Sequence, residues 1–263
     1  MQTLFKITSS FLCAGLTLAS SAASAGVHLN TGASVSDIQF GVTDLTPGDG
    51  QAAGFTPSFI YGNTESRIET SAPEYDLKSH QRYGQGSFTT RVGDDYSDTS
   101  ASLSRAWGAG TAQVTVDEQA GQLSAVTSHS SSWFNLAILP HTALSISGHA
   151  AGWAGISGVD SSRGFSAFSY VDVGLDTFSS GNHARFTKNA SMTSTDRFTD
   201  QPDFSEDFLL SYANTSDSVQ DVRFTIAWSA QGQPSSASTV PEPASYAMFG
   251  AGLLLLGAMR RKA

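Results

Sequence analysis

The feature that most constrains the fold of this chain is a recurring alternation of apolar and polar residues. Residues 222–228 read VRFTIAW, so that every second side chain is large and apolar, and residues 38–42 alternate in the same way. A period of two with one apolar face is typical of a half-buried antiparallel β-strand. The same pattern predicts further strands at residues 111–116, 122–128, 132–138, 142–147, 164–175 and 207–213. Because no stretch between residues 26 and 240 sustains a helical period, the sequence predicts an all-β antiparallel β-sandwich or jelly-roll-like body over residues 26–229.

Three local patterns refine this prediction. The apolar phase shifts within residues 164–175, which indicates a β-bulge or a strand that is covered on both faces. Residues 214–218 read NTSDS, a composition typical of a turn, so residues 207–229 are predicted to form a β-hairpin. Residues 44–105 are rich in Gly, Ser, Asp and Pro, and we expect long loops and one or two strands there.

Composition and charge exclude several classes of partner. Residues 26–240 contain 56 Ser or Thr, and 22 acidic residues against 10 Lys or Arg, a net charge of -12. Binding to nucleic acid or to anionic lipid needs clustered cations, and the sequence has no such cluster before the C-terminal end. The single cysteine, Cys13, lies in the N-terminal segment, so disulfides, thiol catalysis and thiolate metal sites are excluded for the body.

Residues 1–25 have the pattern of a secretory signal peptide. Lys6 is followed by an apolar run over residues 11–18, and the segment ends in the small residues Ala23-Ser24-Ala25. This order of a basic end, an apolar run and an A-x-A site predicts cleavage by signal peptidase between Ala25 and Gly26.

The C-terminal end consists of three parts in a fixed order. Val240-Pro241-Glu242-Pro243 is followed by the nearly uncharged residues 244–259 and then by Arg260-Arg261-Lys262. Sixteen residues form a helix about 24 Å long, which spans a bilayer with some thinning, and the basic end is expected on the cytoplasmic side. The prolines predict an extended, exposed segment before the transmembrane helix. A Ser-rich linker over residues 230–239 would join this tail to the body.

The three parts together closely resemble the PEP-CTERM sorting signal of Gram-negative bacteria. The resemblance covers residues 240–262, under a tenth of the chain. It implies that an exosortase, a membrane-embedded cysteine protease, recognises Pro241, Glu242 and Pro243 ahead of the helix and the basic residues at positions 260–262. It further implies an exported precursor that is anchored in the inner membrane and then reaches the cell surface or the extracellular space. Proteins with this signal typically come from bacteria that make extracellular polysaccharide.

No catalytic motif is evident in the body. The sequence contains no G-x-S-x-G, H-E-x-x-H, Walker or dinucleotide-binding motif, and its histidines are dispersed. His141 and His149, eight residues apart, are close enough in sequence to suggest a zinc site, but we expect them to face solvent or a turn. We therefore predict that the protein is not an enzyme and has no cofactor.

Two acidic clusters leave a structural Ca²⁺ open as an alternative, since Ca²⁺ prefers oxygen ligands in loops. The candidate ligands are Asp94, Asp95 and Asp98 in one cluster, and Asp203, Glu206 and Asp207 in the other. The tyrosines and the four tryptophans, Trp107, Trp133, Trp153 and Trp228, could stack on sugar rings. Trp107 and Trp153 lie among small residues and are the better surface candidates, whereas Trp228 continues an apolar strand face and is predicted to be core.

The sequence thus supports a non-enzymatic structural or adhesive protein of the cell surface or extracellular matrix. The alternative is a lectin-like module for exopolysaccharide, and a third hypothesis is a Ca²⁺-dependent hydrolase.

Overall fold

A computed structural model of the chain describes residues 27–72, 74–104, 107–118, 123–158, 164–177, 183–194 and 203–235. The predicted signal peptide and the sorting tail lie outside these ranges. The described residues form twelve β-strands, and among them no helix is long and apolar enough to cross a membrane. The strands are β1 (Val27–Asp44), β2 (Phe55–Ala72), β3 (Asp76–Gly84), β4 (Phe88–Gly93), β5 (Ser97–Leu103), β6 (Gly110–Glu118), β7 (Leu123–Ile138), β8 (Thr142–Ser157), β9 (Gly164–Thr177), β10 (His183–Thr193), β11 (Asp203–Asn214) and β12 (Gln220–Ser235).

The strands form two antiparallel sheets of six, which confirms the all-β prediction. Sheet A has the order β11-β8-β1-β6-β5-β4, and sheet B has the order β10-β9-β12-β7-β2-β3. Every strand predicted from alternation is present, and the two predicted segments 122–128 and 132–138 belong to one continuous strand, β7.

The core lies between the two sheets, because the inward-facing residues of both contribute to one apolar cluster. Val114 of sheet A and Ile226 and Trp228 of sheet B are fully buried in it, so the assignment of Trp228 to the core is correct. Gly110 allows the tryptophan ring to approach closely, since a Cβ atom there would lie 2.7 Å from Trp228. This packing makes the body a β-sandwich.

Part of the interior is polar, and this accounts for the weak strand pattern in the sequence of residues 44–105. The region contains four strands, β2 to β5, instead of the one or two expected. Inward positions there are occupied by small hydroxyl residues, as in the buried pair Ser66–Thr90, whose Oγ atoms are 3.0 Å apart. The Ser128 hydroxyl donates to the Ser100 carbonyl of the opposite sheet at 2.5 Å. Without large apolar side chains, these strands show little alternation in hydrophobicity.

The predicted hairpin over residues 207–229 is wrong. β11 pairs with β8 in sheet A, whereas β12 pairs with β7 and β9 in sheet B, so the chain crosses between the sheets at residues 215–219. Asn214 holds this crossover, because its buried side-chain amide donates to the carbonyls of Ile138, Leu139 and Ser218 at 2.8 to 3.1 Å. The turn itself lies where the sequence indicates.

Two further expectations need correction. β12 continues to Ser235 through residues that were assigned to the linker, because its backbone pairs with Phe165 and Gly164 of β9. Of the two alternatives for residues 164–175, the β-bulge is absent, since β9 keeps a continuous register with both neighbours. The apolar phase changes because large side chains lie on both faces: Phe168 and Tyr170 face outward and are partly buried, with ring centroids 6.2 Å apart, whereas Val171 and Val173 are buried in the core.

Both ends of the described body lie at the same end of the sandwich. Leu29, near the start of β1, lies against Gly232, near the end of β12. The opposite end carries residues 45–54 and 215–219 and the turn at His141. These loops are joined by backbone and side-chain contacts, since Leu45 N–H donates to the His141 carbonyl at 2.8 Å and His141 Nε2 lies 2.9 Å from an Asp217 oxygen.

Candidate functional site

Three aromatic side chains lie side by side on the outer face of sheet B. Tyr83 of β3, Tyr61 of β2 and Trp133 of β7 form what we term the aromatic row. The ring centroids of Tyr83 and Tyr61 are 6.1 Å apart, and those of Tyr61 and Trp133 are 5.2 Å apart, with interplanar angles of 31° and 34°. Tyr83 is 52% exposed. The row is therefore a surface of ring systems inclined at modest angles and open to solvent at one end.

A β-bulge in β2 directs Tyr61 to this face. Phe59 is paired with Phe134, a core residue, but the register then shifts and Tyr61 is paired with the outward-facing Trp133. One extra residue reverses the inward–outward phase of a strand, which is how bulges re-aim side chains. Regular pairing would have left Tyr61 on the inward phase.

The residues next to Tyr61 and Trp133 on this face are mostly polar and uncharged, but the exposed Arg223 is paired with Asn135. Asn63 and Ser131 are paired with each other on the same face, Asn135 lies two residues beyond Trp133, and Thr225 is paired with Trp133. The amide oxygens of Asn63 and Asn135 are buried and have no hydrogen-bond partner. An unpaired buried oxygen carries an energetic cost, and neither of these oxygens is accessible to solvent.

The same face continues toward β9 with a second partly buried group. Ser229 is paired with His129 on one side and Tyr170 on the other, is 1% exposed, and its hydroxyl has no partner. Burial lowers the pKa of His129 below 6.5, although Glu65 opposes this shift. Burial, followed by the charge of Asp172, raises the pKa of Tyr170. Both groups are therefore held in their neutral forms near neutral pH.

A second arrangement lies on the outer face of sheet A, next to an open depression of about 320 Å³. His149 Nδ1 lies 2.8 Å from an Asp207 oxygen, and its Nε2 lies 3.1 Å from the Ser205 hydroxyl. The connectivity is that of a Ser-His-Asp relay, which alternation alone could not reveal because the residues are on two strands. The Asp207 side chain is 89% exposed, so water screens its charge and leaves it free to move. We interpret the group as a surface hydrogen-bond ladder.

The two candidate tryptophans occupy different environments. Trp107 packs inward, against Phe40 and Phe134 at centroid distances of 4.1 and 5.7 Å, because the positive φ of 60° at this residue turns it toward the core. It does not form a surface platform. Trp153 is half-buried on the outer face of sheet A, where its ring covers Gly32 and its indole N–H donates to Asn30 at 3.2 Å.

The structure does not bring the acidic candidates together as a metal site. Asp94 accepts the backbone N–H groups of Tyr96 and Ser97, and Asp98 pairs with Arg91. In the second cluster, Glu206 pairs with Lys188 and Asp207 pairs with His149, and neither pair includes Asp203. Asp95 of the first cluster is not part of the Arg91–Asp98 pair. Within the described ranges, no three His, Cys, Asp or Glu residues are arranged to hold a metal ion. A structural Ca²⁺ therefore stays a prediction without geometric support.

His141 and His149 are likewise separate. His141 occupies the turn before β8 with a φ of 51° and pairs with Asp217, whereas His149 pairs with Asp207. The predicted cleavage site at Ala25 and Gly26, and the sorting residues Pro241, Glu242, Pro243, Arg260, Arg261 and Lys262, lie outside the described residues.

Sequence reasoning missed the aromatic row. Tyr61 and Tyr83 stood as isolated apolar points in a segment without clear alternation, and Trp133 precedes the core residue Phe134. Their juxtaposition depends on the pairing of β2 with β7 and β3 and on the bulge, which no local pattern encodes.

Comparison with known families decides the nature of the C-terminal end. Residues 239–262 match the family model of the PEP-CTERM protein-sorting motif. The chain carries a PEP-CTERM sorting motif. The prediction from residues 240–262 is thereby confirmed, and the motif implies an exported precursor that is held in the membrane by its tail. No curated protein and no solved structure matches the chain.

Proposed function

We propose that this protein is sorted by an exosortase to the cell surface or extracellular matrix, where its β-sandwich acts as a non-enzymatic structural or adhesive body. The observation that carries the proposal is the PEP-CTERM motif at residues 239–262, directly after the last strand. A sorting tail of this kind is a substrate for another enzyme, and it determines where the preceding part of the chain is delivered.

The geometry of the body supports this role. β12 ends at Ser235, only four residues before the motif begins, so at most about 14 Å of chain separates the body from the start of the motif. Because β1 begins at the same end as β12 finishes, the loops around Leu45, His141 and Asp217 lie at the end of the body opposite to the tail attachment. Those loops and the outer sheet faces are then the surfaces presented to the outside.

Several basic side chains of the body are paired with carboxylates. Asp172 is bound by Arg185 through two contacts of 2.6 and 2.7 Å, and Arg91 holds Asp98. Exposed pairs of this kind are typical of a solvated protein surface. They support a binding or structural role for the body and offer no specific support for the alternative of a Ca²⁺-dependent hydrolase.

The proposal is tested by following the protein in the bacterium that makes it. We expect Glu242→Ala to accumulate as an uncleaved, membrane-bound precursor, and deletion of residues 241–263 to abolish membrane retention. Glu74→Ala, an exposed glutamate of the body, is the matched control and should behave as the wild type. Fractionation and immunoblotting would contradict the proposal if both tail variants were distributed as the wild type is.

A further inference from the structure

Strand β11 is an edge strand without the features that usually keep such strands from pairing. Four of the described strands lie at sheet edges: β11 and β4 in sheet A, and β10 and β3 in sheet B. An edge presents unpaired backbone N–H and C=O groups, and proteins protect it with short strands, lysines, prolines or bulges. β4 has only six residues, β3 carries Lys78 and β10 carries Lys188. β11 has 12 residues, no lysine, arginine or proline, and an unbroken register with β8.

The side chains of β11 leave an apolar group at this edge. Leu209 faces outward and is 71% exposed, more than any other large apolar side chain of the described residues. Its neighbours Phe208 and Leu210 face inward and are buried. The one charged side chain on the inward phase, Glu206, is bound by Lys188 at 2.9 Å. The edge is therefore open, apolar at its centre and free of an unpaired inward charge.

The charges of β11 favour antiparallel pairing with an identical strand. Its three carboxylates, Asp203, Glu206 and Asp207, lie in the first half, and residues 208–214 are uncharged. Parallel pairing in register would place like charges opposite each other, which destabilises a strand pair. Antiparallel pairing instead places the acidic half of each copy opposite the uncharged half of the other. The strand is thus complementary to itself in the antiparallel orientation.

The other sheet edges fit β11 less well. On its inward phase β3 carries Lys78 and Arg82, and pairing with β11 would place these charged side chains beside the apolar residues Phe208 and Leu210. β4 is long enough to pair with only half of β11. Two β11 strands, in contrast, place Phe208 of one copy beside Leu210 of the other, so the apolar interior continues across the contact.

We propose that two copies of this protein form a closed dimer by antiparallel pairing of their β11 strands, with Leu209 of one copy opposite Leu209 of the other. In this register Asp207 lies opposite Ser211, and the outward faces of the two sheets A are continuous. A ladder of this length has about ten backbone hydrogen bonds, the number in a typical protein interface. Because the strands run in opposite directions, the tail-attachment ends of the two bodies lie at opposite ends of the dimer. The inference goes beyond the proposed function, since it assigns a partner and a contact surface.

The test is sedimentation velocity of the purified full chain in a density-matched detergent, over a range of protein concentrations. We expect the wild type to form dimers. Leu209→Lys and Leu209→Asp should each weaken dimerisation by about tenfold or more, because like charges then lie directly opposite each other. An equal mixture of the two variants should form dimers again, since a lysine then lies opposite an aspartate. Leu77→Lys, at an exposed position of the edge strand β3, is the matched control and should dimerise as the wild type does.

Cysteine cross-linking tests the register. In a Cys13→Ser background, which removes the single cysteine of the chain, Leu209→Cys should give a disulfide-linked dimer under mild oxidation. Directly opposed residues of an antiparallel pair have Cα atoms about 4.5–5.5 Å apart, within the range of a disulfide. Leu77→Cys is the matched control and should give no disulfide-linked dimer under the same conditions. Circular dichroism confirms that each variant is folded, as expected for a side chain that is 71% exposed at position 209.

Several results would overturn the inference. These are a wild type that sediments as a monomer at all concentrations, dimers that both charged variants leave unchanged, a mixture of these variants that stays monomeric, or no cross-link in Leu209→Cys. A series of ever larger oligomers would show open pairing between different edges and would overturn the closed dimer. Because all of these measurements use purified protein, none of them bears on the sorting proposal.

Discussion

The pKa of a single residue, His129, depends on how deeply the outer face of sheet B buries its side chain. Its imidazole is largely buried between the outward positions of β2 and β12, and this burial lowers its pKa below 6.5. Protonation therefore occurs less readily in the folded protein than in the unfolded chain. Because the unfolded chain binds this proton more readily, the free energy of unfolding falls as the pH drops below about 6.5, the pKa of the unfolded state, toward the lower pKa of His129 in the folded state. Above about pH 6.5 this group takes nothing from the stability of the native state.

We predict that urea midpoints decrease between about pH 7.5 and about pH 5.5, and that His129→Gln reduces this decrease. Asn189→Gln, a change without a titrating group at an exposed position of β10, is the control and should leave the pH dependence as it is in the wild type. An unchanged dependence in His129→Gln would show that the histidine is not desolvated in solution.

At the level of elements, the crossover between β11 and β12 connects the two sheets. A hairpin would have kept both strands in one sheet. Instead, the Asn214 side chain donates to the carbonyls of Ile138 in β7, of Leu139 directly after β7, and of Ser218 in the crossover. The Ser218 carbonyl also accepts from the Ser216 hydroxyl, but a residue that cannot donate at position 214 removes this partner from the buried or partly buried carbonyls of Ile138 and Leu139.

We predict that Asn214→Ala destabilises the body by about 1–3 kcal/mol, the usual cost of unpaired buried polar groups. Asn189→Ala, at an exposed position of β10, should change stability by about 0.5 kcal/mol at most. Chemical denaturation measures both values, and similar values for the two variants would contradict the role given to Asn214.

The strands also show which parts of the fold are encoded locally. β12 is evident from VRFTIAW because one face is large and apolar, and the same holds for most of sheet A. The strands β2 to β5 are not evident from the sequence, because their inward positions include Ser66, Thr90 and Thr99. The hydroxyls of these residues form hydrogen bonds in the interior. Hydrophobic alternation detects burial only where burial is apolar.

The candidate site was beyond sequence reasoning for a different reason. The aromatic row joins residues 61, 83 and 133, and it requires both the strand order of sheet B and a one-residue bulge. Tryptophans surrounded by small residues were a poor guide, since Trp107 turns inward. The sorting tail, in contrast, is linear and was predictable from the sequence because its recognition depends on consecutive residues.

At the scale of the whole molecule, the chain is a β-sandwich followed by a short tether and a sorting motif. The body has the start of its first strand and the end of its last strand at one end, and its joined loops at the other. The high content of Ser and Thr agrees with this fold, because hydroxyl residues occupy both the surface and part of the interior.

The central claim is that the body reaches the outside after the tail has been processed. Intact-mass spectrometry of the protein recovered outside the producing cells tests it most directly. We predict a species that begins at Gly26 and lacks the apolar residues 244–259. An extracellular species that still ends at Ala263 would contradict the claim.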